Sequence, residues 1–305
     1  MPESVDTLIQ NALVVTMNPA REVIADGAVV IRGSEIVAVG KTADVTRSHE
    51  ALDVIDGRRF VVTPGMVNTH IHITGEPLTR GYVPENTTFE ENVFQWLCPL
   101  YAAHTEDDER LSAQLAAAEM LKSGTTAFLE AGTVRFVDAL VDGLVEIGIR
   151  GRVGRWVWDL PPEPDVYRQT TDEAVANLEK TIRDHASVAD GRIQAWSMVI
   201  GHTTCSDELW RAAKETADRH HTGLNFHMSP AAMDPEGFLA QFNQRPAEHL
   251  EELGVLGGNV VLVHCVHVDD NEIKLLAKHR CSVAHCPTTA LKVAYGVTQI
   301  GKMPE

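Results

Sequence analysis

Five strand-like apolar runs in this 305-residue sequence end in histidine, at His72, His202, His227, His264 and His285. His70-Ile71-His72 closes the first of them. Side chains alternate across a strand, so positions i and i+2 point the same way and both imidazoles can reach one cation. A divalent metal that activates water needs a few neutral nitrogen or carboxylate ligands and one open position. His227, closing TGLNFH, is the candidate third ligand from another strand. The implied cofactor is a divalent ion, with zinc, cobalt and iron left open because histidine-rich sites bind them with overlapping affinities.

The elements that must position these histidines are legible as a change of texture along the chain. Residues 1–63 hold short β-type runs, LIQNALVVTM, GAVVIRGSEIVAVG and DVIDGRRFVVTPG, with turn signals at Asn18-Pro19, Asp26-Gly27 and Asp56-Gly57, and read as a small all-β unit. Over residues 64–305, apolar runs of four to six residues alternate with helical patterns such as TEDDERLSAQLAAAEMLKSG and DEAVANLEKTIRDHA. That alternation predicts βα units and a parallel sheet. Seven runs qualify as strands: GMVNTHIH, GTTAFLEA, RGRVGRWVW, IQAWSMVIGH, TGLNFH, NVVLVH and CSVAH. A polar residue repeatedly placed where a buried parallel strand runs out is what a (β/α)8 barrel produces at its C-terminal mouth. An open doubly wound sheet draws its site from one or two strands only. Leu160 to Pro164 reads as a loop after the third strand.

Composition sets the partners. The balance of 26 Lys+Arg against 43 Asp+Glu gives a net charge of −17, which repels phosphate backbones and anionic lipid, so neither nucleic acid nor a membrane is expected as a partner. A small-molecule substrate is. No apolar run approaches the roughly 18 to 20 residues of a membrane span. Five cysteines with no CxxC pair fit reduced thiols, and a cytoplasmic location is the expectation.

VVTPGMVNTHIH, LTRG, the Trp96-Leu97 to Pro99 segment, AAAEMLKSGTT, GHTTCSDEL, NFH, LVHCVHVDDNEI and SVAHCPTTALK together resemble the amidohydrolase superfamily, in the branch of cytosine, guanine and S-adenosylhomocysteine deaminases and triazine hydrolases. The resemblance covers nearly the whole chain. It implies a distorted (β/α)8, TIM-like barrel with strands one to seven present over 64–305, and a small β-sandwich of which residues 1–63 are the N-terminal portion. It makes His70, His72 and His227 metal ligands and His264 the catalytic residue that polarises the substrate. His202 becomes a substrate-facing residue of the fourth strand, and His285 is assigned to substrate binding in the pocket wall. Trp96, Trp156, Trp158 and Phe94 suggest an apolar pocket. His267 and Asp269-Asp270 are expected to open a helix, and His49, His104, His185, His220, His221, His249 and His279 are assigned to the surface. A homo-oligomer is expected by resemblance alone.

Two departures from the family pattern matter. The deaminases carry a glutamate three residues after the fifth-strand histidine, where this chain has Pro230. Ammonia leaves poorly unless protonated, and a general acid contributes roughly 10²- to 10⁴-fold. The pattern also places an aspartate at the end of an eighth strand, in a Gly-Thr-Asp setting that these residues lack, so the expectation is a longer parent protein. Glu130, ending the second strand, is a candidate substitute acid, and Glu119 reads as structural. The leading reading is a metal-dependent hydrolase of a small nitrogen-containing compound, an amide, urea, carbamate or thiocarbamate, close to the molinate and phenylurea hydrolases. The alternatives are an amino-heterocycle deaminase and a non-catalytic truncated barrel.

Overall fold

The computed structural model describes residues 2–84, 86–162 and 165–304. They form two compact units, Met1–Met66 and Val67–Glu305. Of the loop expected after the third strand, Glu163 and Pro164 lie outside the described residues.

The first unit is one mixed sheet of β1 (Glu3–Val15), β2 (Val23–Arg32), β3 (Glu35–Lys41), β4 (His49–Asp56) and β5 (Val61–Val62). Its order is β3-β2-β1-β4, with β5 also on β1; β2 is antiparallel to β1 and β3, and β4 and β5 are parallel to β1. Period-two alternation sends Ala28 and Val30 into one apolar cluster with Val5 and Leu8, and Val29 into another with Ala12 and Val14. The all-β expectation needs one correction, because a two-turn helix, Thr42–Ser48, links β3 to β4. It buries a single residue, Val45, and so has no apolar stripe for a 3.6-residue period to reveal.

The second unit contains two four-stranded parallel sheets. One is β6 (Met66–Ile71), β7 (Thr125–Glu130), β8 (Arg150–Val153) and β9 (Ile193–Ala195); the other is β10 (Ser197–Gly201), β11 (Leu224–Met228), β12 (Val260–His264) and β13 (Ser282–Ala284). Helices connect most successive strands, a pattern consistent with a TIM-like barrel. Helix starts follow the sequence: Thr105 with Asp108, Thr170 with Glu173 and Asp269 with Glu272 form capping boxes, and Asp269 opens its helix as expected. Every residue of β10 and β11 is buried, as strands covered on both faces must be.

The run IQAWSMVIGH is two strands, not one. At Trp196 the pairing changes hands: Trp196 N–H donates to Val153 O at 3.0 Å and Ser197 N–H to Gly223 O at 3.1 Å. The indole occupies the space above Gly223, where an added Cβ would sit 2.3 Å from the ring. Within RGRVGRWVW the regular strand covers only Arg150–Val153; Gly154 is packed against the Met198 side chain, and beyond it Arg155 keeps a single bridge to Val134. Among the described residues no helix is long and apolar enough to cross a membrane.

Candidate metal centre

β6, β10, β11 and β12 deliver five histidines to one place at their C-terminal ends. His70 lies within β6 and His72 just past it; His227 is in β11 and His264 ends β12. Ring centroids of His70 stand 4.9 Å from His72, 5.0 Å from His227 and 5.1 Å from His264. One ligand atom each of His70, His227 and His264 fall within 4.8 Å of one another. His72 joins through its Nε2, 3.3 Å from Nε2 of His227. His202, stacked on His227 with centroids 5.6 Å apart, completes the group.

The backbone that aims these rings is unusual. His264 has φ of 76°, His202 of 57° and Gly201 of 94°. A Cβ on Gly201 would lie 2.3 Å from the carbonyl oxygen of His227, so only glycine lets β10 approach β11 this closely. Non-glycine residues in this region cost about 1–3 kcal/mol each and concentrate at functional sites.

The donor set fits a cation. His227 donates Nδ1–H to Ile200 O at 2.7 Å, which leaves a bare lone pair on Nε2. That lone pair faces His72 Nε2, and two nitrogens held at 2.0–2.1 Å on a tetrahedral zinc stand ~3.3 Å apart. The Nδ1 atoms of His70, His72 and His264 are buried without a hydrogen-bond partner among the described residues. Burial holds His72 down at about 4 and His264 at about 3. Burial and the neighbouring rings together put His70 and His227 well below the ordinary histidine range. All four are thus neutral, as ligands must be.

The cluster forms the floor of a cavity of about 400 Å³. Aromatic rings of Phe89, Phe94, Tyr101, Trp156, Trp158 and Tyr295 line it, with Arg80 and Lys292 also contributing. Trp158 Nε1 donates to Val166 O at 3.0 Å, whereas Trp156 Nε1 is buried with no hydrogen-bond acceptor among the described residues. Phe94, Trp156 and Trp158 are therefore where the sequence placed them, but Trp96 is 40% exposed and lies outside the lining, two positions from Phe94 in a wide helical turn that turns it outward.

Several expectations end elsewhere. His285 follows β13 and is not among the cavity-lining residues. Glu130 is buried with its oxygens committed to the loop after β7, accepting from Gly132 N (2.5 Å), Thr133 N (3.1 Å) and Thr133 Oγ1 (2.7 Å). Glu119 pairs with Arg80, as a structural residue does. His104, His185 and His249 are buried rather than on the surface. His249 is held by Asp207 (2.8 Å) and Gln244 (3.1 Å) and stacks on Phe242, and His185 uses Thr181 O and Asp138. A helical pattern hides such partners because they come from other turns. Asp234, 1% exposed beside His202, has no sequence signal at all.

Comparison with known proteins adds a lineage to this geometry. A model of the amidohydrolase family matches residues 61–305. A 5-methylthioadenosine/S-adenosylhomocysteine deaminase of Desulforamulus reducens is 29% identical over 98% of the chain, which spans 66% of that protein's length. The crystal structure of an adenosine deaminase from Xanthomonas campestris with bound zinc superposes with a TM-score of 0.88 at 26% identity, covering 99% of this chain and 67% of that one. A triazine hydrolase of Arthrobacter aurescens, 22% identical, shares the fold with a TM-score of 0.87, covering 97% of this chain and 68% of that one.

Proposed function

The chain belongs to the amidohydrolase family, and on that premise we propose that it holds one divalent metal ion through His70, His72 and His227 and hydrolyses a carbon–nitrogen bond of a small amino-heterocycle, releasing ammonia. The observation that carries this reading is the convergence of four neutral histidines, His227 and His264 buried and His70 and His72 half-buried, on the floor of an aromatic-walled cavity. Deaminase names among relatives that align over nearly the whole chain favour deamination over the urea, carbamate and thiocarbamate hydrolysis first expected.

When bound, a divalent ion would lower the pKa of a water molecule and so supply a nucleophile at neutral pH. His70, His72 and His227 would hold the ion. His264, at the end of β12 with its ring 5.7 Å from that of His227, is placed to donate to the ring nitrogen on which charge develops as water adds to the neighbouring carbon. The rings of Phe89 and Trp156 would sandwich or edge a flat heterocycle and exclude water. His202 would face the substrate from β10.

A second reading rests on Pro230, which stands where the deaminase pattern has its proton-shuttling glutamate. A thiolate or chloride leaving group needs no such acid, which suits a thiocarbamate or halotriazine substrate. One screen separates the two: ammonia, thiol and chloride release measured on the zinc-loaded protein against adenosine-type nucleosides, thiocarbamates, phenylureas and chlorotriazines. Ammonia release supports deamination; thiol or chloride release without ammonia supports the second reading, and aryl amine release alone counts against both.

A further inference from the structure

The turn that follows β11 carries no acid at position 230, yet a carboxylate reaches the site from four residues further on. Asp234, at the start of the helix Met233–Phe242, accepts the Ser229 N–H through Oδ2 at 2.5 Å. Its Oδ1 lies 3.2 Å from His202 Nδ1. The two atoms are in contact without the alignment of a formed hydrogen bond, and neither has another partner among the described residues. Each is buried, so each is the one available partner of the other, and leaving both unpaired would be costly. His202 cannot turn away freely. It is fixed by left-handed backbone at Gly201 and His202, by the edge of Phe89 at 5.5 Å and by stacking on His227.

We propose that Asp234 is a positioning residue that keeps the hydrogen of His202 on Nδ1, so that a bare Nε2 accepts an N–H or O–H of the substrate. The carboxylate thus acts on substrate recognition through His202, by a route that Pro230 does not block. A substrate suited to it carries a donor beside the carbon under attack, as the N–C–NH2 group of an amino-heterocycle does. This substrate class rests on the deaminase reading above, whereas the state of the His202 ring does not.

Asp234→Asn gives a sharp test because its one carbonyl oxygen is claimed by the Ser229 N–H. The side-chain NH2 then faces His202 Nδ1 and drives the ring hydrogen to Nε2. Two-bond ¹H–¹⁵N spectra of the zinc-loaded protein, with His202 assigned by its loss in His202→Gln, are expected to show an Nδ1–H ring in the wild type and an Nε2–H ring in Asp234→Asn. Zinc content should stay at about one ion per chain in both, while KM for an amino substrate rises about tenfold in the variant, with kcat changing less. Asp234→Ala, if it folds, should give a mixture of ring forms. An Nε2–H ring in the wild type, or the same ring form in wild type and Asp234→Asn, would overturn the proposal. An Nδ1–H ring that shifts as expected, with no amino compound turned over by the wild type, would overturn the substrate class and the deaminase reading while upholding the role of Asp234.

Discussion

His72 Nε2 and His227 Nε2 face each other at 3.3 Å, from strands of two different sheets. Because His227 Nδ1 already donates to Ile200 O, the Nε2 of His227 can only accept. Two imidazole nitrogens so placed must share either a proton or a cation, and the second is what the surrounding neutral rings favour.

His227→Ala removes that shared nitrogen and should lower metal affinity by far more than the 10- to 100-fold typical of outer-shell partners. Isothermal titration of zinc into the metal-free variant checks this. Affinity within about tenfold of the wild type would place the ion elsewhere.

Gly201→Ala tests whether backbone strain sets the site. The added Cβ meets His227 O at 2.3 Å in a backbone conformation with φ of 94°. A loss of at least about 1–3 kcal/mol in unfolding free energy is expected, together with weaker zinc binding, because β10 must move off β11. A variant that matched the wild type in both urea denaturation and zinc titration would show that the two strands tolerate separation.

Trp156 separates ring from indole N–H. Trp156→Phe deletes a buried donor that has no acceptor, so stability should hold or rise slightly, whereas Trp156→Ala should cost about 3–5 kcal/mol. Substrate KM should change less in Trp156→Phe than in Trp156→Ala, since the aromatic ring rather than the buried N–H lines the cavity. Urea melts with Michaelis kinetics on the same samples check both. Equal destabilisation by Phe and Ala would mean that the indole N–H is structurally engaged.

Glu109 supplies a pH prediction away from the cluster. Its buried carboxylate accepts the N–H groups of Arg135 (2.9 Å) and Phe136 (2.6 Å) at the start of the helix Val137–Ile147, yet burial outweighs these bonds and raises it from 4.5 to about 7. The folded protein then holds a proton that the unfolded chain has lost between pH 4.5 and 7. This contribution to stability is full below about pH 4.5 and is lost as pH rises through about 7. Glu109→Gln cannot ionise, so its stability relative to the wild type should be more favourable at pH 8 than at pH 5. An identical difference in urea melts at the two pH values would contradict the shift.

The histidine cluster was legible because it obeys two local rules. His70 and His72 share a strand face, and His202, His227 and His264 each close an apolar run, so spacing alone placed them at the C-terminal ends of parallel strands. What could not be read depends on contacts between distant turns. Asp234 reaches His202 only because Ser229 and Pro230 turn the chain after β11, and nothing in MSPAAMDPEG marks its carboxylate as buried. Glu130 looked free as a strand-ending acid, but its oxygens are taken by the amides and hydroxyl of the following loop. The break at Trp196 and the helix over Thr42–Ser48 escaped for the same reason, since one depends on the space above Gly223 and the other buries only Val45. His249 lay in a helical pattern that gave no sign of Phe242 stacked on it at 3.8 Å.

Metal binding by the histidines is tested most directly by elemental mass spectrometry of the 305-residue chain, expressed with zinc, cobalt and iron available. About one tightly held ion per chain, falling to near zero in His70→Ala, is the predicted result. A folded, monodisperse wild-type sample with near-zero metal under all three supplies would contradict it.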